Sequence, residues 1–185
     1  VNNALMFATG NNATGTPLSF YAQMDALAGG FVCDMAADQQ LALHENWYGP
    51  DHPDPARRDC LTVDWPTDGP VWLNPPYSEA EAPCVAKCKK KRCAQRGWHT
   101  DVHIPGCLHF VEKAIEQGRR GVETWMLLAA RTDVAWFHYF LWDSSTQDWM
   151  PRVKGSFIRG RLVFRRAGKP DPAPFPSMLI TINRS

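Results

Sequence analysis

Two groups of residues in this chain have the types and spacing to do chemistry. The first is Asn74-Pro75-Pro76-Tyr77, set directly after the apolar run Pro70–Asn74. The Asn74 side-chain oxygen and the Pro75 carbonyl are two acceptors placed to bind the two hydrogens of an exocyclic amine. Such an amine is a poor nucleophile because its lone pair is delocalised into the ring. Held at both hydrogens, it is drawn toward tetrahedral geometry and its lone pair is aimed at a methyl sulfonium. Proline fixes the backbone, so the carbonyl is presented with little loss of entropy. Tyr77 supplies a π face against which a base flipped out of a duplex can stack. Asn-Pro and Pro-Pro are also ordinary loop punctuation, so the position of the tetrapeptide matters more than its spelling. Ligands in open α/β sheets bind at the carboxyl ends of strands, and this motif follows a buried strand.

The second group is Cys84-x3-Cys88-x4-Cys93-x5-His99, three soft thiolates and an imidazole within 16 residues. That set suits tetrahedral zinc, with Cys107 or His103 as alternatives to His99. Four ligands from one loop would close the site, which makes the expected metal structural rather than catalytic. Val1–Gly10 lacks a basic n-region and an apolar h-region, so no signal peptide is expected. Clustered cysteines without a secretion signal favour metal over disulfides. Cys33 and Cys60 stand alone in apolar surroundings, where buried free thiols are expected.

The charge is distributed unevenly. The 185 residues carry 20 Lys and Arg against 19 Asp and Glu, a formal net charge of +1. Residues 1–81 hold 11 acids and only Arg57 and Arg58, giving −9, whereas residues 82–185 hold 18 bases and eight acids, giving +10. Thirteen of the bases fall in two acid-free runs, Ala82–Thr100 and Met150–Pro170. This asymmetry points toward an anionic partner. Lys87, Lys89, Lys90, Lys91 and Arg92 would be held on the metal-closed loop, where they could grip phosphates. Trp98, inside the basic insertion, is the tryptophan placed to stack on a base or wedge between bases. Arg131 either binds phosphate or pairs with Asp133.

The elements that must position these residues alternate between strand and helix, the pattern of an α/β sheet. Thr16-Pro17 opens a helix over Leu18–Ala28, stopped by Gly29-Gly30. Phe31–Met35 is expected as a strand ending on Asp34, Ala36–His44 as a helix, and Asn46–Arg58 as a loop with at most a short strand. Asp59–Trp65 and Pro70–Asn74 are strand-like. Residues 79–107 form a Cys-rich basic insertion, followed by a helix over Cys107–Gly118 and a buried strand over Thr124–Ala129. A helix over Asp133–Leu141 should be capped by Thr132 or Asp133. Ser156–Phe164 and Met178–Ile182 are expected to close the sheet as an antiparallel pair, joined by the Pro-rich stretch Pro170–Pro176. Apolar content of 44% and eight Trp argue against a disordered chain. No run of about 18 apolar residues exists, so no membrane span is expected.

In their order, these segments resemble the phage-type DNA N6-adenine methyltransferases, related to Dam-type enzymes. Thr16-Pro17 is similar to the family's N-terminal Thr-Pro element. Phe31–Ala37 resembles its cofactor strand and turn, and Asp59-Cys60-Leu61 with Trp65 resembles the acidic turn over the cofactor adenine. Asn74–Ser78 is the NPPYS catalytic motif. Arg131-Thr132-Asp133 with Trp136-Phe137-His138, and Gly160–Phe164, match two further blocks. The resemblance implies a Rossmann-like S-adenosylmethionine-dependent methyltransferase sheet, one domain over residues 1–185 carrying the 79–107 insertion. It implies methyl transfer from S-adenosylmethionine to N6 of a flipped adenine in duplex DNA, with Asn74, Pro75, Pro76 and Tyr77 catalytic. Thr16, Pro17, Asp34, Ala36, Asp59 and Asn74 would hold the cofactor. Lys89, Lys90, Lys91, Arg92, Arg131 and Arg161 would contact nucleic acid, and Cys84, Cys88, Cys93 and His99 a structural zinc.

A carboxylate at Asp34 suits the cationic methionine end of the cofactor. Thr16 with the following helix N-terminus suits its carboxylate. One departure is plain: Met35-Ala36-Ala37 follow Asp34 where such loops usually carry glycines. Glu45 and Asp51 are the candidates for the ribose hydroxyls. A cytoplasmic location, in a bacterium or a phage-infected host, follows from the resemblance; no obligate protein partner is expected. Two other functions use the same residues: methylation of an RNA adenine or a protein amide, and a non-catalytic zinc-knuckle nucleic-acid binder.

Overall fold

The structure is a computed structural model that describes residues 15–165 and 171–183, without the side chains of Arg92, Arg96 and Asp171. Its helices are α1 (Leu18–Ala28), α2 (Lys91–Arg96), α3 (Cys107–Arg119) and α4 (Ala135–Phe140). Its first strands are β1 (Cys33–Asp34), β2 (Val71–Leu73), β3 (Thr124–Ala129), β4 (Trp142–Asp143) and β5 (Asp148–Trp149). Four more follow: β6 (Val153–Phe157), β7 (Val163–Phe164), β8 (Asp171–Pro172) and β9 (Ser177–Ile182).

Five strands form the central sheet in the order β1-β2-β3-β9-β6. β1, β2 and β3 run parallel, while β9 is antiparallel to β3 and to β6. Side chains alternate across a strand, so neighbouring residues feed opposite faces. Val71, Leu73, Met126 and Leu128 join Phe110, Val111 and Ala114 of α3 and Phe137 of α4 in one core. Trp72 and Leu127 point the other way, against Tyr21 and Met24 of α1. Tyr21 meets Trp72 edge-on, with ring centroids 5.5 Å apart. Both faces are therefore covered, which is why β2, β3 and β9 read as nearly continuous apolar runs. This is a mixed α/β architecture.

Helix Leu18–Ala28, strand Thr124–Ala129 and the α3 helix form where the sequence places them. The closing antiparallel pair forms with a shifted first strand, Val153–Phe157 rather than Ser156–Phe164. Val163-Phe164 pairs instead with Asp171-Pro172, inside the Pro-rich stretch.

Two expected elements do not form and a third is shorter than expected. Residues 36–44 are turns rather than a helix. Asp38 takes the Gln40 and Leu41 N–H groups, and Asp34 takes that of Leu43, so side chains replace the helical ladder. Gly49 packs against this segment where any Cβ would overlap the Ala37 carbonyl oxygen. Asp59–Trp65 is a turn rather than a strand. Asp59 Oδ1 accepts from Leu61 N, and Trp65 N–H reaches across to the Gln117 side chain at 3.0 Å. Phe31–Met35 contracts to Cys33-Asp34, the two residues in register with Val71 and Trp72, although the Met35 N–H still reaches the Trp72 carbonyl at 2.8 Å. At α4 the N-cap is Val134 with no side-chain bond, so neither Thr132 nor Asp133 caps it.

Candidate active site

β2 is fully buried on both faces and ends at Leu73, so Asn74 leaves the sheet at its carboxyl edge. Pro75 is buried, and Pro76 and Tyr77 are half-buried. The Tyr77 hydroxyl lies 2.8 Å from Asn74 Oδ1 and 3.2 Å from the Leu127 carbonyl on the neighbouring strand. Both partners are acceptors, so the phenol is the donor. Burial pushes its ionisation well above the usual phenol range, with Cys107 adding to the effect, which keeps that proton in place. Phe164 and Phe175 hold the ring edge-on, at centroid distances of 6.2 and 5.3 Å. The tyrosine thus fixes the orientation of the Asn74 amide as well as presenting an aromatic ring. That tie between two residues of the motif carries no separate sequence signal.

The carboxyl end of β1 lies beside this loop. Asp34 is 3% exposed and accepts from Leu43 N at 3.2 Å and, more weakly, from Ala36 N at 3.4 Å. Burial pushes its carboxyl up to about 6, against the lowering pull of those N–H groups and of Arg165. No ion pair to Asp34 occurs among the described residues. Thr16 is buried, and its hydroxyl finds no hydrogen-bond partner among the described residues. The helix N-cap is Pro17 rather than Thr16, and no side chain caps the α1 N-terminus. Asp59, half-buried, closes its own turn through one carboxylate oxygen. Asp51 is turned onto the Gln39 N–H, and Glu45 is exposed.

Arg165 is the residue that sequence reasoning missed. It falls in the second basic run and was expected to face a polyanion with its neighbours. Instead its guanidinium donates to the Thr16 carbonyl at 2.9 Å and the Leu41 carbonyl at 2.6 Å. It binds the N-terminal segment to the loop beyond Asp34. Its only signal was its place immediately after the Gly160–Phe164 block. Arg152, Lys154, Arg159 and Arg161 from the same run are exposed. Arg131 is exposed and lies 3.9 Å from Asp133, the structural alternative open to it.

The Cys-rich segment is stitched at its base. Glu81 and Ile104 form an antiparallel bridge with reciprocal 2.9 Å backbone bonds, and Cys107 N donates to the Ser78 carbonyl. Beyond that base, Cys84, Cys88, Cys93 and His99 bring their ligand atoms within 4.8 Å of one another. Cys107 lies apart, buried at the α3 N-terminus, its thiol pushed up to about 12 by burial. His103 stacks edge-on with His109. Lys89 and Lys91 are exposed. Lys90 is turned back, donating to the Ala82 carbonyl at 2.8 Å and lying 4.0 Å from the buried Glu81. The Arg92 side chain lies outside the described residues. No helix among the described residues is long and apolar enough to cross a membrane.

The chain matches one protein family over nearly its whole length. A family model described as DNA N-6-adenine-methyltransferase (Dam) matches residues 10–182. A DNA N-6-adenine-methyltransferase of Escherichia phage T1 is 28% identical over 122 residues, which take in 66% of this chain and 37% of that relative. The match thus spans little more than a third of the relative's length.

Proposed function

From the premise that this chain belongs to the DNA N-6-adenine-methyltransferase (Dam) family, we propose that it methylates N6 of adenine in duplex DNA. Membership of a methyltransferase family implies S-adenosylmethionine as the methyl source. The residues at the carboxyl ends of β1 and β2 fit that molecule. Asp34 is a buried carboxylate without an ion pair among the described residues, and such a group calls for a cation. Thr16 offers an orphaned buried hydroxyl beside an uncapped helix N-terminus, which suits a carboxylate. The observation that carries the reading is the buried Asp34, without an ion pair among the described residues, on the strand that pairs with the one leading to an Asn74 whose amide is already oriented.

In this arrangement the cofactor supplies an electrophilic methyl group. Asp34 would hold its cationic methionine end and Thr16 and Pro17 its carboxylate, with Ala36 and Asp59 as further holding residues. Asn74, its amide oriented by the Tyr77 hydroxyl, would accept one amine hydrogen at Oδ1. The Pro75 carbonyl takes the second hydrogen, and Pro76 stiffens the turn. The Tyr77 ring supports the flipped base. No covalent enzyme intermediate is needed, and the proton leaves to solvent after transfer. The chain folds as one Rossmann-like domain, with residues 79–107 as an insertion whose Cys84, Cys88, Cys93 and His99 take a structural zinc. Lys89, Lys91, Arg92, Arg131 and Arg161 contact the backbone, with Lys90 in a supporting place. The reaction occurs in the cytoplasm of a bacterium or phage-infected host.

The test is transfer of tritiated methyl from S-adenosylmethionine to unmethylated duplex DNA, duplex RNA and protein, with Asn74→Ala as control. Label in duplex DNA alone, lost in Asn74→Ala, is expected. Label in RNA or protein alone selects those substrates instead. Cofactor binding without label in any substrate leaves only the binding module.

A further inference from the structure

The segment from 82 to 103 has almost no core of its own. Among its described side chains only Cys93 and Thr100 are buried, and Val85 is 74% exposed. A stretch with so little apolar burial needs another source of cohesion. The convergent thiols can supply it. Cys93 Sγ lies 3.4 Å from Cys84 Sγ and 3.7 Å from Cys88 Sγ. Tetrahedral zinc with Zn–S bonds of about 2.3 Å places its sulfurs about 3.8 Å apart. A disulfide needs about 2.05 Å and would leave one of three thiols out. Lys90 N–H points at Cys88 Sγ at 3.5 Å, the kind of outer contact that steadies a ligating sulfur. Cys84 N donates to the Thr100 carbonyl, bringing the two ends of the ligand segment together.

The base below this tip is held without any metal, by the Glu81–Ile104 bridge and the Cys107–Ser78 bond. Gly106 fits there because a Cβ would run into the backbone of Ser78–Ala80. We propose that a single zinc ion on Cys84, Cys88, Cys93 and His99 folds the lysine-bearing tip, so that metal load sets affinity for the nucleic-acid backbone while leaving the cofactor site intact. This rests on the methyltransferase reading only for the identity of the polyanion. Lys87, Lys89 and Lys91 are exposed around the cluster. Loss of the metal frees the chain that carries them, and ordering it on contact then weakens binding.

The experiment uses the whole chain, purified under reducing conditions without chelator. Expected are one zinc per chain by elemental analysis and, on cobalt(II) replacement, the absorption spectrum of tetrahedral thiolate coordination. Stripping the metal should lower affinity for duplex DNA at least tenfold by fluorescence anisotropy and leave S-adenosylmethionine affinity within twofold. Zinc should restore it. Cys88→Ser should reproduce the loss, and Lys87→Ala/Lys89→Ala/Lys91→Ala should weaken DNA binding while keeping one zinc. Absence of metal that persists after zinc is added to the reduced protein would overturn the proposal. So would undiminished DNA affinity in the stripped protein, or parallel loss of cofactor binding. Failure of the methyltransferase reading looks different: zinc and metal-dependent DNA binding would be found, with no cofactor bound and no methyl transferred.

Discussion

From Asn74 to Ser78 the chain is held by what lies beneath it. β2 is buried on both faces, Tyr77 is tied to Asn74 and to the β3 backbone, and Phe164 and Phe175 flank its ring. A few residues later, between Ala82 and Thr100, almost nothing lies beneath, and four ligand side chains converge on one another instead. Consecutive stretches of one chain thus use opposite strategies. The first presets a few atoms to within a hydrogen bond, which suits bond-making geometry. The second spreads positive charge on a scaffold that a single ion can close, which suits a polyanion whose phosphates repeat. The difference predicts that chemistry and grip can be lost independently.

The largest separation should come from Asn74→Ala. On the proposed role of Asn74, its removal should lower methyl transfer on the order of a hundred- to thousandfold, by analogy with the loss of one preorganised hydrogen-bonding group. Duplex affinity by anisotropy should stay within twofold; a parallel fall in both would merge the two regions. Next is Asp34, pushed up to about 6 by burial. The cation-binding form is the carboxylate, so cofactor affinity should be flat above pH 7 and fall about tenfold by pH 5. In Asp34→Asn it should be weaker throughout and independent of pH, as titration calorimetry would read. The sign reverses for stability. A raised carboxyl favours the fold when protonated, and that contribution is lost as pH rises through about 6. Cofactor-free protein should therefore gain melting temperature on acidification toward pH 4, relative to Asp34→Asn.

Smaller effects test the junction and the tip. Gly106→Ala presses a methyl into the Ser78–Ala80 backbone and should destabilise the protein by about 1–3 kcal/mol in thermal melts. It should disturb both regions, because it sits where they meet. The smallest change belongs to single surface cations. Lys89→Ala or Arg161→Ala should lower the salt slope of DNA binding by about one. Lys90→Ala should lower it less, since its ammonium is already bound to the Ala82 carbonyl. Equal slopes for Lys89 and Lys90 variants would erase that distinction.

Much of the parallel core was readable from the amino acids, because strands covered on both faces are apolar without a break and helices carry one periodic face. Val71–Leu73, Cys107–Arg119 and Thr124–Ala129 follow that logic, whereas Leu18–Ala28 forms as expected but buries only Tyr21 and Met24 and leaves Leu18 and Leu27 exposed. The failures lie where polar side chains, rather than periodicity, decide the backbone. Asp34 and Asp38 capture N–H groups that a helix over 36–44 would need, and Gln117 reaches 52 residues back to Trp65. The Trp65–Gln117 bond leaves no local pattern. The candidate site was legible by type and order, as at Asn74, Tyr77 and the cysteine spacing. Its internal wiring was not. The Tyr77 bond to the Leu127 carbonyl and the Arg165 clasp on Thr16 and Leu41 depend on segments far apart in sequence. Lys90, one base in the run of four from Lys89 to Arg92, differs from its neighbours only through where the fold lets it reach.

One measurement bears most directly on the claim that Asn74 and Pro75 present an exocyclic amine of adenine to a methyl donor. Unmethylated duplex DNA is incubated with the protein and labelled S-adenosylmethionine, digested to nucleosides, and the labelled product identified by mass spectrometry. The expected product is N6-methyldeoxyadenosine alone, absent when Asn74→Ala replaces the native chain. Label on cytosine, or label on adenine that survives in Asn74→Ala, would contradict it.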